Sequence, residues 1–133
     1  LLSMIGNVLK NNDIKNVFCK GNVHQRNNAI MSFRKEIKKK ELKTRVIMLS
    51  TENAASGTNL TEATHIIFME PIMGNVEYVK SIENQAMGRA VRIGQKNQVQ
   101  VYKLIIKNTI EEDIFNNKSI NNQNIVNNFQ VDI

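Results

Sequence analysis

The order of apolar runs predicts an α/β fold, a mostly parallel sheet with helices on both faces. Three observations carry this expectation. Short β-branched runs of strand length, at residues 14–19, 45–49, 65–69 and 98–106, alternate with segments whose apolar residues recur at helical spacing. The runs Val46-Ile47-Met48-Leu49 and Ile66-Ile67-Phe68-Met69 are apolar throughout, as strands of a sheet covered on both faces are. Finally, 133 residues with 41% hydrophobic content are enough for one core.

Each element follows from local pattern. Leu2, Ile5, Val8 and Leu9 lie on one helical face, and Asn11-Asn12-Asp13 closes that helix. Residues 14–19 read as a strand that Gly21 breaks. Ile30, Phe33 and Ile37 make residues 26–37 an amphipathic helix. After the strand at 45–49 comes a small-residue polar segment, 50–64, and then the strand at 65–69, closed by Glu70-Pro71. Residues 78–93 read as a long helix, and 98–106 as a last strand. Thr109 and Glu112 have the spacing of a capping box that opens a final helix. Residues 1–115 are expected to form one lobe. The Asn-rich stretch 116–133 is a helix or a disordered tail to which no function attaches. The chain opens on Leu1-Leu2 already in an amphipathic pattern, so it is expected to be a piece of something longer.

Composition narrows the partners. Only 5% of residues are aromatic and none is Trp, so aliphatic side chains must fill the core. Lys and Arg outnumber Asp and Glu by 18 to 12, a formal +6 that favours a polyanion such as nucleic acid. The basic run from Arg34 to Lys43 is either a solvated helix end or a phosphate-contacting patch. Cys19 is the single cysteine, which excludes an internal disulfide and a cysteine-cluster zinc site; its apolar surroundings predict a buried thiol. Neither His24 nor His65 has a metal-ligand partner nearby in sequence, so no protein-held metal is expected. No apolar stretch approaches the ~18–20 residues of a membrane span. An intracellular protein with no membrane partner is the expectation, nuclear in a cellular eukaryote and otherwise cytoplasmic or in a viral factory.

The most informative run is Gln85-Ala86-Met87-Gly88-Arg89-Ala90-Val91-Arg92-Ile93-Gly94-Gln95. On the helix at 78–93, which is expected to stop just after Arg92 with Gly94 as its left-handed cap, Gln85, Arg89 and Arg92 share one face. Guanidinium groups present a planar fork of donors that suits phosphate oxygens, so this is the pattern of an arginine finger aimed at a nucleotide γ-phosphate. Taken alone, it is also the pattern of an exposed basic helix face. Ligands in open α/β sheets gather at the carboxyl ends of the strands. There the small-residue loop 50–60, with Gly57 and Asn59, could approach a phosphate and a sugar hydroxyl, and the arginine face is expected to look toward the same edge.

The ordered set Leu49-Ser50…Gly57-Thr58-Asn59-Leu60, Glu70-Pro71, Gln85…Arg89…Arg92-Ile93-Gly94-Gln95, Val101-Tyr102 and Thr109-Ile110-Glu111-Glu112 resembles the second RecA-like lobe of superfamily 2 helicases. It is most similar to the SWI/SNF-type double-stranded DNA translocases. The stretch Glu62-Ala63-Thr64-His65…Glu70-Pro71 further resembles the branch that often carries RING insertions. The resemblance implies that Arg92 is the main finger, supplied to ATP held with Mg2+ on a preceding lobe of the same polypeptide. It implies that Arg89 assists at the γ-phosphate and that Gln85 helps to sense it. Gly57 and Asn59 would sit near the nucleotide, with Asn59 toward the ribose. Ser50 would touch the DNA backbone, and Gly21 and Arg26 match a segment lying along the tracked strand. Chromatin or other DNA-bound proteins would be further partners.

The chain departs from the family pattern in three places. Asn53-Ala54-Ala55 stands where Ala-Gly-Gly is usual, Val91 stands where His is common, and the longer spacing between Glu70-Pro71 and Gln85 suggests a small insertion within 72–84. No G-x4-G-K-[ST] loop and no Asp-Glu-x-His run occurs. In the family both belong to the first lobe, so the chain alone is expected not to hydrolyse ATP. The competing expectation is a catalytically inactive RecA-like module that binds nucleic acid or protein.

Overall fold

The structure, a computed structural model, describes residues 1–35, 43–50 and 58–120, with side chains through Asn116. Most of the basic run, Gly57, Asn53-Ala54-Ala55 and the tail beyond residue 120 lie outside the described residues. The elements run α1 (Leu2–Asn11), β1 (Asn16–Cys19), α2 (Val23–Arg34), β2 (Val46–Leu49), β3 (His65–Phe68), α3 (Val76–Ala90), β4 (Gln100–Lys103) and α4 (Ile110–Ile120). They fall into two compact units, Leu1–Glu62 and Ala63–Ile133.

Each unit is built on one β-α-β crossover. β1 pairs in parallel with β2, Asn16 beside Val46 through Cys19 beside Leu49, and α2 connects them. β3 pairs in parallel with β4, His65 beside Gln100 through Phe68 beside Lys103, and α3 connects them. Parallel strands need such a crossover because a tight turn can only reverse the chain. The alternation expected from the sequence is therefore present as parallel α/β units.

In the first unit α1 and α2 pack on the strands, and Cys19, Ala29, Ile30, Phe33, Met48 and Leu60 are buried. Cys19 is the buried thiol expected of it, 1% exposed. Gly6 brings α1 close to the sheet: a Cβ there would lie 3.1 Å from Met48 Cε. The Asn16 amide ties the same helix down by donating to the Gly6 carbonyl at 3.0 Å. The buried Thr44 hydroxyl is satisfied by Ser32 Oγ at 3.0 Å. α2 begins three residues before the expected start because Asn22 caps it. Asn22 Oδ1 accepts from Gln25 N at 2.9 Å, and Gln25 Oε1 accepts from Asn22 N at 3.0 Å, a complete capping box. Gly21, at φ +88, makes the turn that precedes it; a Cβ there would collide with Gln25 Oε1.

In the second unit Val79, Arg89 and Ala90 are buried, all on α3. A Lys103–Glu83 ion pair at 2.8 Å fastens α3 to β4. β4 stops well short of the expected 98–106. Leu104 N still reaches Phe68 O at 2.9 Å, but the neighbouring chain then runs into Glu70-Pro71, and Ile106 N bonds the Glu111 carboxylate at 2.8 Å instead. The start of α4 differs from the expected box in its partners. Thr109 Oγ1 accepts from Glu111 N at 3.2 Å, and the Glu112 carboxylate accepts from Asn108 N at 2.8 Å. Residues 72–84 hold no separate element: they are a short loop and the first turns of α3, capped by Asn75 Oδ1 accepting from Tyr78 N at 2.8 Å.

Candidate functional site

The first unit brings the expected DNA-contacting residues to one edge. Because Cys19 lies beside Leu49, the turn Lys20–Asn22 after β1 and Ser50 after β2 leave the sheet together at its carboxyl edge. Gly21 lies in that turn, and Arg26 N makes the first helical bond of α2, to Asn22 O at 3.0 Å. Arg26 is half-buried, and the buried Cys19 thiol donates to its carbonyl at 4.0 Å. The backbone around Gly21 and Arg26 is thus held from two sides, by the cap and by the core. Further along the same unit, beyond β2, Asn59 is half-buried and its Oδ1 accepts from Thr61 N at 3.2 Å. That oxygen holds the local turn.

In the second unit the glutamine and arginines are arranged differently from the expected single helix face. α3 ends at Ala90, with Val91 as its cap, so Gln85 and Arg89 lie on the helix and Arg92 lies beyond it. Gln85 is exposed, Arg89 is 8% exposed, and Arg92 is exposed. Arg92 instead opens a four-residue turn. Gln95 N bonds Arg92 O at 3.0 Å, and Gly94 takes φ +103 at the third position, which in a type II turn requires positive φ. Gly94 therefore serves this turn and not the helix cap. The helix stops early because the Ala90 carbonyl accepts from Arg92 N at 3.2 Å and from Gln95 Nε2 at 3.3 Å.

The edge is also corrected. Gln95 Nε2 donates to Ala63 O at 2.9 Å, and Gln100 N to Thr64 O at 2.9 Å, so the Arg92 turn sits where the chain enters β3 and β4. This is the amino edge of these strands, not the carboxyl edge. The reason is topological: a crossover helix leaves one strand at its carboxyl end and must return to the amino end of the next. Gln95 is the residue whose structural part the sequence reading missed; its position closing the Arg-Ile-Gly-Gln string was the available signal.

Gly88 stands in the interior of α3, exposed, and a Cβ there would meet nothing within 4 Å among the described residues. Glycine inside a helix costs ~0.5–1 kcal/mol relative to alanine. Gly88→Ala is therefore expected to raise the thermal unfolding midpoint by roughly 2–5 °C, as circular dichroism would register.

Residues 3–94 match the helicase conserved C-terminal domain. The chain belongs to that family. Among its relatives is the uncharacterized ATP-dependent helicase IRC20 of Saccharomyces cerevisiae, 35% identical over 119 residues, which cover 90% of this chain and 7% of IRC20. Another is the chromatin-remodeling ATPase INO80 of Candida albicans, 44% identical over 69 residues, which cover 52% of this chain and 4% of INO80. The chain thus spans less than a tenth of the length of these relatives. Among solved structures, the C-terminal part of the Fun30 ATPase domain superposes with a TM-score of 0.68 at 27% identity, covering 86% of this chain and 35% of that one. The helicase C-terminal domain seen here is accordingly a RecA-like α/β lobe of the SWI/SNF type. No helix among the described residues is long and apolar enough to cross a membrane.

Proposed function

We propose that this helicase C-terminal domain, residues 1–115, is the second motor lobe of an intracellular ATP-dependent double-stranded DNA translocase. The observation that carries this reading is the pair of arginines at the end of α3, one anchored by burial and one presented on a locked turn. Arg92, exposed and led by a short backbone, can bring a full charge and a planar fork of donors to a phosphate. Arg89, in the last helical turn, adds positive potential where the helix dipole favours a cation. Gln85, one turn earlier and exposed, would hydrogen-bond the same group. ATP and Mg2+ held by a preceding lobe would supply the transferable phosphoryl group and most of its charge neutralisation. This chain's residues would supply the rest, with Gly57 and Asn59 near the nucleotide.

The DNA side is the carboxyl edge of the first unit. Ser50, Gly21 and Arg26 are proposed to follow the backbone of the tracked strand there, supported by the +6 formal charge of the chain. The ATP-dependent relatives and a chromatin-remodeling ATPase among them support DNA, and chromatin or other DNA-bound proteins, as partners.

The test compares two proteins: the 133 residues alone and the parent polypeptide with both lobes. ATP turnover is expected only in the two-lobed protein, and duplex DNA is expected to stimulate it. Turnover by the 133 residues alone would overturn the division of labour. Absence of turnover in the two-lobed protein with DNA would leave a binding module in its place.

A further inference from the structure

We propose that Gln95 is a positioning residue for the Arg92 guanidinium, a role that rests on reading Arg92 as the finger. One side chain joins three stretches of backbone. Its Nε2 donates to Ala63 O at 2.9 Å, at the entrance to β3, and to Ala90 O at 3.3 Å, at the end of α3. Its Oε1 accepts from Asn97 N at 2.9 Å, on the way to β4. Its own backbone N closes the Arg92 turn at 3.0 Å.

What makes this bracing consequential is that, among the described residues, the turn's other holds are backbone bonds behind Arg92, from Val91 N and from Arg92 N itself. Val91 is 59% exposed, Ile93 is 104% exposed and Arg92 is exposed, so the turn's own side chains do not pack it in place. Behind Arg92 the chain is anchored by Val91 N bonded to Met87 O at 2.8 Å; ahead of it the anchor is Gln95. Remove the carboxamide and the turn keeps its covalent path but loses its attachment to the entrance of β3. A neutral amide suits the task, because it donates twice to carbonyls and accepts once without adding charge beside the finger. A glutamate would set lone pairs against the Ala63 and Ala90 carbonyls.

The sensitivity is large because a displacement of ~1 Å at a catalytic group can cost on the order of 100-fold in rate. DNA-stimulated turnover would be measured in the two-lobed parent for wild type, Gln95→Ala, Arg92→Ala and the double variant. Gln95→Ala is expected to lower kcat by about 10- to 100-fold, with KM for ATP changed less than about threefold. The double variant should be no slower than Arg92→Ala, since the two residues act through one group. Gln95→Glu should be at least as slow as Gln95→Ala at neutral pH and should recover relative to wild type as acid restores a donor. An unimpaired Gln95→Ala beside a collapsed Arg92→Ala would remove the positioning role alone. So would a full additional loss from Gln95→Ala on the Arg92→Ala background, or a rate loss that follows a fallen unfolding midpoint. Wild-type turnover in Arg92→Ala would remove the finger reading and this proposal with it.

Discussion

Replacing Arg92 with alanine is expected to lower DNA-stimulated ATP turnover by about 10³- to 10⁵-fold while leaving the fold intact, measured on the two-lobed parent. The rate effect is that of an arginine finger, which stabilises charge spread over the equatorial oxygens of the transferred phosphoryl group. The absence of a stability effect follows from exposure. Arg92 lies on the solvent side of a turn whose closure uses its carbonyl and not its side chain. A surface substitution of that kind usually changes stability by less than ~0.5 kcal/mol. Arg92→Lys should fall between the two, since it keeps the charge and loses the planar fork. DNA affinity in the absence of nucleotide should be unchanged, because Arg92 is not among the DNA-contacting residues proposed here, Gly21, Arg26 and Ser50. Turnover within about tenfold of wild type would point away from a finger and toward one of the many exposed basic side chains that this composition supplies.

The pattern of strands and helices was legible in the sequence because parallel strands leave a strong trace. Val46–Leu49 and the run beginning at His65 are nearly all apolar, and no helix of useful length can be drawn through them. The ends of elements were less legible, and for identifiable reasons. The start of α2 was decided by Asn22 and Gln25, two polar residues that hydrophobic spacing ignores. The end of α3 was decided by Gln95, five residues beyond Ala90, because its carboxamide takes up a carbonyl that a further helical turn would have used. Gly94 looked like the glycine that follows a helix, but its positive φ belongs to the Arg92 turn. A glycine signals an unusual backbone angle; it does not say which motif needs it. The edge of the sheet was misread for a different reason. Arg92 follows the crossover helix, so it returns to the amino ends of β3 and β4, and this depends on counting chain reversals and not on any residue type. The three residues that motif spacing puts in register, Gln85, Arg89 and Arg92, are consequently split by structure into an exposed glutamine, a buried arginine and an arginine on a turn.

That split makes Arg89 behave unlike its neighbour. At 8% exposure it is, with Thr44, one of two buried polar or charged residues among those described. A guanidinium is kept out of water only when its hydrogen bonds are met, and its stem contributes packing as well as charge. Arg89→Ala removes both the packing and the buried charge. The expected cost is roughly 2–4 kcal/mol, within the range of breaking a buried charge network, seen as a clear drop in the denaturant midpoint with little change in slope. Arg89→Met keeps much of the stem, so it should recover part of the stability. It should not recover the rate, because the positive potential beside Arg92 is still lost. The two variants therefore separate what Arg89 does for the fold from what it does for the phosphate: stability should follow stem volume, and turnover should follow charge. If Arg89→Met restored turnover along with stability, Arg89 would be a packing residue and Arg92 would stand alone at the phosphate. If Arg89→Ala left the midpoint unmoved, its burial would carry no energetic weight, and the distinction drawn here between the two arginines would fail.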